Sequence, residues 1–149
     1  MHNEDVREAA AIWARATARR DEEPEPATVE QAMPGVLRRL SLDGAKLILA
    51  RRENRAVGFA LVAPRPETLE VFYLAVDPDA WGGGVGSQLL REVDEHARAI
   101  GRDTLELWVI NDNERAIGVY ERAGWVATDE VSQDTPEARP HRRFLRHLG

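Results

Sequence analysis

Length, composition and charge exclude several classes of function for this chain. Its 149 residues fit one domain, predicted over residues 1–149, and they include no cysteine, which excludes disulfides, thiolate nucleophiles and cysteine-ligated metals. A net charge of −6 disfavours a duplex nucleic-acid partner, because such a partner requires a basic protein face.

Hydropathy and histidine spacing remove two further possibilities. No apolar run approaches the roughly 18 residues of a membrane helix, and the N-terminal segment is polar and charged. We therefore predict a cytoplasmic protein without a membrane partner, as a monomer or homodimer. No metal site is expected either, since the histidines lack metal-ligand spacing.

The first half of the chain is predicted to form two helices and a hairpin. Apolar residues recur at helical spacing over residues 5–20, and a second helix is expected over residues 28–40, interrupted at Pro34 and Gly35. Two strands, over residues 46–51 and 56–62, are expected to pair through a short turn between them.

The second half alternates strands and helices. Residues 68–76 are apolar enough for a central strand covered on both faces, and a helix follows that ends at Gly101. The inner stripe of this helix is predicted to contain Val85, Leu89, Val93, Ala97 and Ile100. A strand over 104–110, a helix over 113–123 and strands over 125–130 and 139–145 complete the order ααβββαβαββ.

A glycine-rich turn joins the central strand to its helix. Residues 81–87 read Trp-Gly-Gly-Gly-Val-Gly-Ser. Glycine lets the backbone approach a ligand closely, and the N-terminus of the following helix attracts phosphate. The turn therefore predicts a site for a cofactor that carries a pyrophosphate.

Two common nucleotide-binding motifs do not fit this turn. The dinucleotide fingerprint requires a third glycine where this chain has Ser87 or Leu89, depending on the starting glycine. A Walker loop requires a lysine at the helix start, and the single lysine, Lys46, lies far upstream. NAD and nucleoside triphosphates are therefore disfavoured.

Two segments resemble the GNAT family of N-acetyltransferases. Gly84 and Gly86 match the acetyl-CoA loop motif Gln/Arg-x-x-Gly-x-Gly/Ala, although Trp81 stands at the Gln/Arg position. Residues 113–125 match Asn-x-x-Ala-x-x-x-Tyr-x-x-x-Gly-Phe, with Trp125 in place of Phe. Two such motifs in order, about 30 residues apart, make the resemblance specific.

The resemblance implies an α+β fold, the GNAT acyl-CoA N-acyltransferase fold, with a mixed, mostly antiparallel sheet and helices on both faces. The family's strand before the first helix has no evident counterpart, unless His2 to Glu4 supply it. The resemblance also implies direct transfer of an acetyl group from acetyl-CoA to a primary amine in a ternary complex. The implied cofactor-binding residues are Leu74, Ala75, Val76, Gly82, Gly83, Gly84, Val85, Gly86, Ser87 and Asn113.

Candidate catalytic residues follow from the same resemblance. Tyr120 matches the family's general acid, and a phenol of pKa about 10 suits protonation of a thiolate whose thiol has a pKa of about 8.5. Glu70, four residues before Leu74, is our candidate for the base that deprotonates the amine. Glu106 on the neighbouring strand is its rival, and Tyr73 is a further candidate for substrate contact.

Two questions stay open at this level. A catalytically weak member of the same fold, acting as an acyl-CoA sensor or partner module, is the alternative to an enzyme. The acceptor has no sequence motif, but two loops that border the acceptor cleft in the family are acidic, which predicts a cationic amine. The acidic residues are Glu22, Glu23, Glu25, Asp129, Glu130, Asp134 and Glu137.

Overall fold

The computed structural model describes residues 3–149, with side chains from residue 4 onward. Its helices are α1 (Asn3–Arg20), α2 (Val29–Leu40), α3 (Val85–Ala99) and α4 (Glu114–Arg122). Its strands are β1 (Lys46–Arg52), β2 (Arg55–Pro64), β3 (Leu69–Val76), β4 (Thr104–Ile110), β5 (Val126–Ser132) and β6 (His141–His147). The predicted order is confirmed, with one added 3₁₀ turn at Pro78–Ala80.

The six strands form one mixed sheet in the order β1-β2-β3-β4-β6-β5. Only β3 and β4 are parallel, and every other neighbouring pair is antiparallel. Helices α1 and α2 pack on one face of the sheet, whereas α3 and α4 pack on the other. The predicted α+β fold with helices on both faces is confirmed. Within residues 3–149, every helix is too short or too polar to cross a membrane.

The β1-β2 hairpin forms as expected, with both strands longer than predicted. Arg52 pairs with Arg55, so the connecting loop contains only Glu53 and Asn54. Both loop residues have positive φ angles, 52° and 67°, as the tight turn of a right-twisted hairpin requires.

Helix α2 is continuous, so the predicted interruption at Pro34 and Gly35 is wrong. A capping box between Thr28 and Gln31 fixes the start of the helix, and Pro34 removes only one backbone hydrogen bond. Gly35 permits close packing: a Cβ there would lie 2.7 Å from the hydroxyl oxygen of Tyr73 on β3. Tertiary packing therefore outweighs the local preference to end the helix.

Two smaller expectations are also wrong. Ile100 is not part of the inner stripe of α3, because the helix ends at Ala99 and Ile100 is 38% exposed. Gly101, with a φ of +80°, ends the helix as predicted. Asn3 and Glu4 belong to α1 and form no strand, and His2 lies outside the described residues.

Candidate active site

The central sheet opens between its two parallel strands. Strands β3 and β4 pair only over residues 69–71 and 105–107, and they separate beyond those positions. A cavity of about 610 Å³ lies beside this opening. Its walls come from the second half of α1, the end of β3, the glycine turn and α4. The cavity therefore connects the two segments that carry the sequence motifs.

The glycine turn adopts a backbone conformation that other residues rarely accept. Gly82 and Gly84 have φ angles of +84° and +81°, and a Cβ at either position would meet nothing within 4 Å. The glycines are therefore required by backbone angle and not by crowding. Gly84 is the N-cap of α3 without a side-chain cap, so the first amides of this helix have no side-chain acceptor.

Nine of the ten predicted cofactor-binding residues line the cavity. They are Leu74, Ala75, Val76, Gly82, Gly84, Val85, Gly86, Ser87 and Asn113. Gly83 does not line it, because its amide turns back and donates to the carbonyl of Ala80 at 3.3 Å. The Asn113 oxygen accepts from the amide of Ala116 at 3.3 Å, which leaves its NH₂ group for another partner.

The cavity lining is basic, which the sequence did not predict, although Arg20 is already paired with Asp21 at 3.0 Å. Four arginines and no acidic residue line it, although the chain carries a net charge of −6. The arginines are Arg19, Arg20, Arg115 and Arg122. Arg115 and Arg122 lie seven residues apart on α4, a spacing that puts both on one helix face. This spacing could have indicated a basic surface from the sequence. The other two end α1, about 65 residues before the glycine turn, where no local pattern marks them.

Trp81, at the motif's Gln/Arg position, holds two of these guanidinium groups. Its indole nitrogen donates to the carbonyl of Val76 at 2.8 Å, which fixes the ring at the cavity wall. The guanidinium carbon of Arg115 lies 3.9 Å from a Trp81 ring centre, and that of Arg19 lies 5.4 Å away. Cation–π contacts of this kind hold the cations beside the glycine turn.

Tyr120 lines the same cavity from α4 and is only 7% exposed. Its ring packs against Trp125 and Phe144, with ring centres 6.1 and 6.4 Å apart. Burial raises the pKa of Tyr120 to about 12. The phenol therefore stays protonated at neutral pH, as a proton donor must be.

Glu70 lies on β3 directly opposite Glu106 on β4, outside the lining of the cavity. Its side chain is 13% exposed, and the nearest cation is Arg65, at 3.5 Å. Burial and the charge of Glu106 raise the pKa of Glu70 to about 7. Glu70 therefore titrates near neutral pH, as a general base should.

Glu106 is also buried, but unlike Glu70 its carboxylate accepts several hydrogen bonds. It accepts hydrogen bonds from the Thr68 hydroxyl, from Arg143 at 3.1 Å and from Trp108 at 3.3 Å. Burial alone would raise its pKa, but these hydrogen bonds and the Arg143 charge lower the pKa below its usual value. Of the two rivals, Glu70 is thus the better candidate for the base, because Glu106 is already paired with Arg143.

Tyr73 and the acidic loops complete the predicted set. Tyr73 packs edge-on against Trp13, with ring centres 4.7 Å apart, and it lines no part of the cavity. Of the acidic residues predicted for the two loops, Asp129 and Glu130 lie on strand β5 instead, because β5 extends to Ser132. Glu130 pairs with Arg143 at 2.7 Å, whereas the other acidic residues of this set are exposed and unpaired within the described chain. Residues 4–149 contain no group of three or more acidic or histidine side chains that could hold a metal ion.

Fold and site together define a class: proteins with a mixed sheet that opens beside an uncapped glycine turn, which shares a cavity with a buried tyrosine. The chain belongs to the Acetyltransferase (GNAT) family, whose model matches residues 7–125.

Relatives and solved structures agree with this membership. A mycothiol acetyltransferase of Propionibacterium freudenreichii is 44% identical over 95 residues, which cover 58% of this chain and 30% of the relative. An uncharacterized N-acetyltransferase of Methanocaldococcus jannaschii is 41% identical over 65 residues, covering 44% of this chain and 29% of the relative. The chain spans about 30% of the length of the curated relatives it matches.

Two solved structures share the whole fold at low identity. The ribosomal-protein-S18-alanine N-acetyltransferase of Escherichia coli superposes with a TM-score of 0.76 at 20% identity, over 100% of this chain and 91% of that one. PaiA N-acetyltransferase of Thermoplasma acidophilum, solved with coenzyme A, superposes with a TM-score of 0.77 at 14% identity, over 99% of this chain and 96% of that one.

Proposed function

We propose that this chain transfers an acetyl group from acetyl-CoA directly to a primary amine within a ternary complex. One observation carries the proposal: a single cavity joins an uncapped glycine turn, an acid-free arginine lining and a protonated tyrosine. The turn and the arginines suit phosphates, and the tyrosine suits a leaving thiolate. The sensor alternative needs only the first two features.

The residues present fit acetyl-CoA as a substrate. Beyond residue 71, β3 has no β4 partner, so main-chain groups of Leu74, Ala75 and Val76 on that side are open to the amides of a pantetheine arm. The amides at the start of α3 and the arginines on Trp81 would hold the pyrophosphate. The Asn113 NH₂ group is a further donor to the arm.

Two residues would move the protons of the reaction. The amine nitrogen attacks the thioester carbonyl carbon, and the carbon–sulfur bond then breaks. Tyr120 would protonate the departing thiolate, and Glu70 would take the proton that the amine loses, directly or through water. With a pKa of about 7, Glu70 is ionised often enough at neutral pH to accept that proton.

Thermal unfolding and turnover test this proposal together. At about 100 times its dissociation constant, acetyl-CoA should stabilise the fold by about 2.7 kcal/mol, which raises the melting temperature by several degrees. Coenzyme A release should then appear with at least one member of an amine panel that includes compounds related to mycothiol, after the names of the relatives. Binding without turnover would favour the sensor, and stabilisation by NAD or ATP alone would contradict the family's cofactor.

We propose a single domain in the cytoplasm, either a monomer or a homodimer, without a nucleic-acid or membrane partner. Size-exclusion chromatography with light scattering measures the oligomeric state directly, in the presence and absence of coenzyme A.

A further inference from the structure

We infer that the acceptor is a primary amine that also carries a carboxylate, with Arg39 receiving the carboxylate while Glu70 receives the amine. This inference rests on the proposed function and concerns the acceptor side of the same site. It opposes the cationic acceptor that the acidic loops predict. The side chains of Arg39 and Glu70 both lie on the face of β3 that α1 and α2 cover.

A bulge in β3 shapes that face. Tyr73 pairs with Leu61 and Val71 pairs with Val62, which leaves Phe72 without a partner on β2. Phe72 and Tyr73 therefore both pack toward α1 and α2. Glu70 lies two residues before Phe72, so its side chain projects from the same face of the strand.

Helix α2 follows β3 along this face and places Arg39 there. Gly35 lies against the Tyr73 hydroxyl, and Arg39, one turn later, lies over Phe72 with its guanidinium carbon 5.2 Å from the ring centre. Arg39 is therefore held over Phe72, two residues after Glu70 on the same face of β3.

The charges on this face leave one cation and one carboxylate available. Glu106 and Arg143 are occupied by each other, by Thr68 and by Glu130. Within residues 4–149, by contrast, Arg39 has no ion pair and its side chain makes no hydrogen bond. Glu70 accepts no hydrogen bond from the described chain; its one ion pair there is with Arg65, at 3.5 Å, and the charges of Arg39 and Arg143 also act on it.

An amine with a nearby carboxylate would complement both groups. The planar guanidinium of Arg39 offers two parallel donors that match a planar carboxylate, and Glu70 accepts from the amine. A polyamine would instead bring its second positive charge beside Arg39 and Arg65, where it would be repelled. A single free guanidinium also suits a singly charged carboxylate better than a dianionic phosphate.

Matched acceptor pairs test the inference. Each pair is an amino acid and its carboxamide, with spermidine and phosphoethanolamine as further acceptors, and coenzyme A release is measured at saturating acetyl-CoA. For wild type, kcat/KM should favour the carboxylate. Arg39→Gln should reduce that preference about tenfold through the KM of the acceptor, and the KM of acetyl-CoA should not change. The two amines of a pair differ in basicity, but this difference affects wild type and variant equally. It therefore cancels when the carboxylate preference in kcat/KM is compared between the two enzymes.

Two further variants make the result specific. Arg38→Gln removes the same charge from the adjacent, exposed residue and should keep the preference. Arg39→Lys keeps the charge but loses the paired donors, so it should restore part of the preference. An unchanged preference in Arg39→Gln, or a wild-type preference for spermidine, phosphoethanolamine or the carboxamides, would overturn the inference alone. Failure of every acceptor despite acetyl-CoA binding would overturn the proposed acetyl transfer with it.

Discussion

The two ends of β3 are built from different parts of the chain. At the C-terminal end, Leu74 to Val76 and the glycine turn offer main-chain groups and a backbone conformation. At the N-terminal end, Glu70 is surrounded by side chains from α2, β4, β6 and the β2-β3 loop. We therefore propose that the backbone holds the cofactor at one end, whereas individual side chains select the acceptor at the other.

The two ends also differ in charge. The cavity has four arginines and no acidic residue, whereas the face around Glu70 mixes carboxylates and guanidiniums that largely neutralise one another. The net charge of the chain, −6, describes neither region. Local field, and not overall charge, determines which ligand each region attracts.

The largest effect is expected at Tyr120, which lines the cavity together with the C-terminal end of β3. Tyr120→Phe removes the proton donor but keeps the ring packing against Trp125 and Phe144. We expect kcat to fall by roughly 10² to 10⁴, with coenzyme A affinity little changed. Steady-state kinetics and titration calorimetry measure the two quantities. Wild-type turnover in this variant would assign the acid to water or to another group.

Gly84 tests whether backbone conformation alone holds the cofactor. Gly84→Val should abolish the thermal shift produced by coenzyme A, since a branched residue resists the φ of +81° and would place its side chain toward the phosphates. Gly101→Val is the matched control: its φ is +80°, its surroundings are equally open, and it lies outside the cavity. Both variants should lose about 1–2 kcal/mol of stability.

Only Gly84→Val should lose the response to coenzyme A. Equal loss in both variants would mean that destabilisation, and not the phosphate site, removes the cofactor. A normal shift in folded Gly84→Val would place the phosphates elsewhere.

The same division explains how far the sequence predicts the structure. The order of elements and the lining residues from Leu74 to Ser87 follow local patterns, because a strand, a glycine turn and a helix start are contiguous in the chain. The continuity of α2 was missed because it depends on the contact between Gly35 and Tyr73, which are distant in sequence. Arg19, Arg39 and Arg115 were missed for the same reason, since each acquires its role by stacking on a remote aromatic ring.

The pH dependence of turnover tests the role of Glu70 at the N-terminal end of β3. Wild-type kcat/KM should rise with pH to about 7, because Glu70 must lose its proton before it can act as a base. Glu70→Gln should lower the rate and remove this low-pH limb. Glu67→Gln, an exposed neighbour in the β2-β3 loop, is the control and should keep it. If the limb survives in Glu70→Gln, Glu70 is not the base.

The pH dependence of the free energy of unfolding tests the ionisation of Glu70 independently of turnover. The pKa of Glu70 is raised from 4.5 to about 7, so between those values the folded protein binds a proton that the unfolded chain has lost. Glu70 therefore destabilises the fold increasingly as pH rises through this window. Glu70→Gln should be more stable than wild type at pH 8, by at most about 3 kcal/mol, and not at pH 4. Chemical denaturation at the two pH values measures the difference.

The smallest effect is expected at Arg115, which stacks on Trp81 and so brings a positive charge to the motif's Gln/Arg position. If Trp81 holds Arg115 in place of a Gln or Arg at its own position, Arg115→Gln should weaken coenzyme A binding about three- to tenfold and reduce its salt dependence. Arg91→Gln, exposed on α3 and outside the cavity, should change neither quantity. The double variant Trp81→Arg with Arg115→Gln should recover the lost affinity, because it returns a cation to the motif position. Unchanged coenzyme A affinity in Arg115→Gln would mean that the glycine turn binds the phosphates without help from this arginine. The cofactor would then be bound by backbone groups alone, and the two ends of β3 would differ more than we propose.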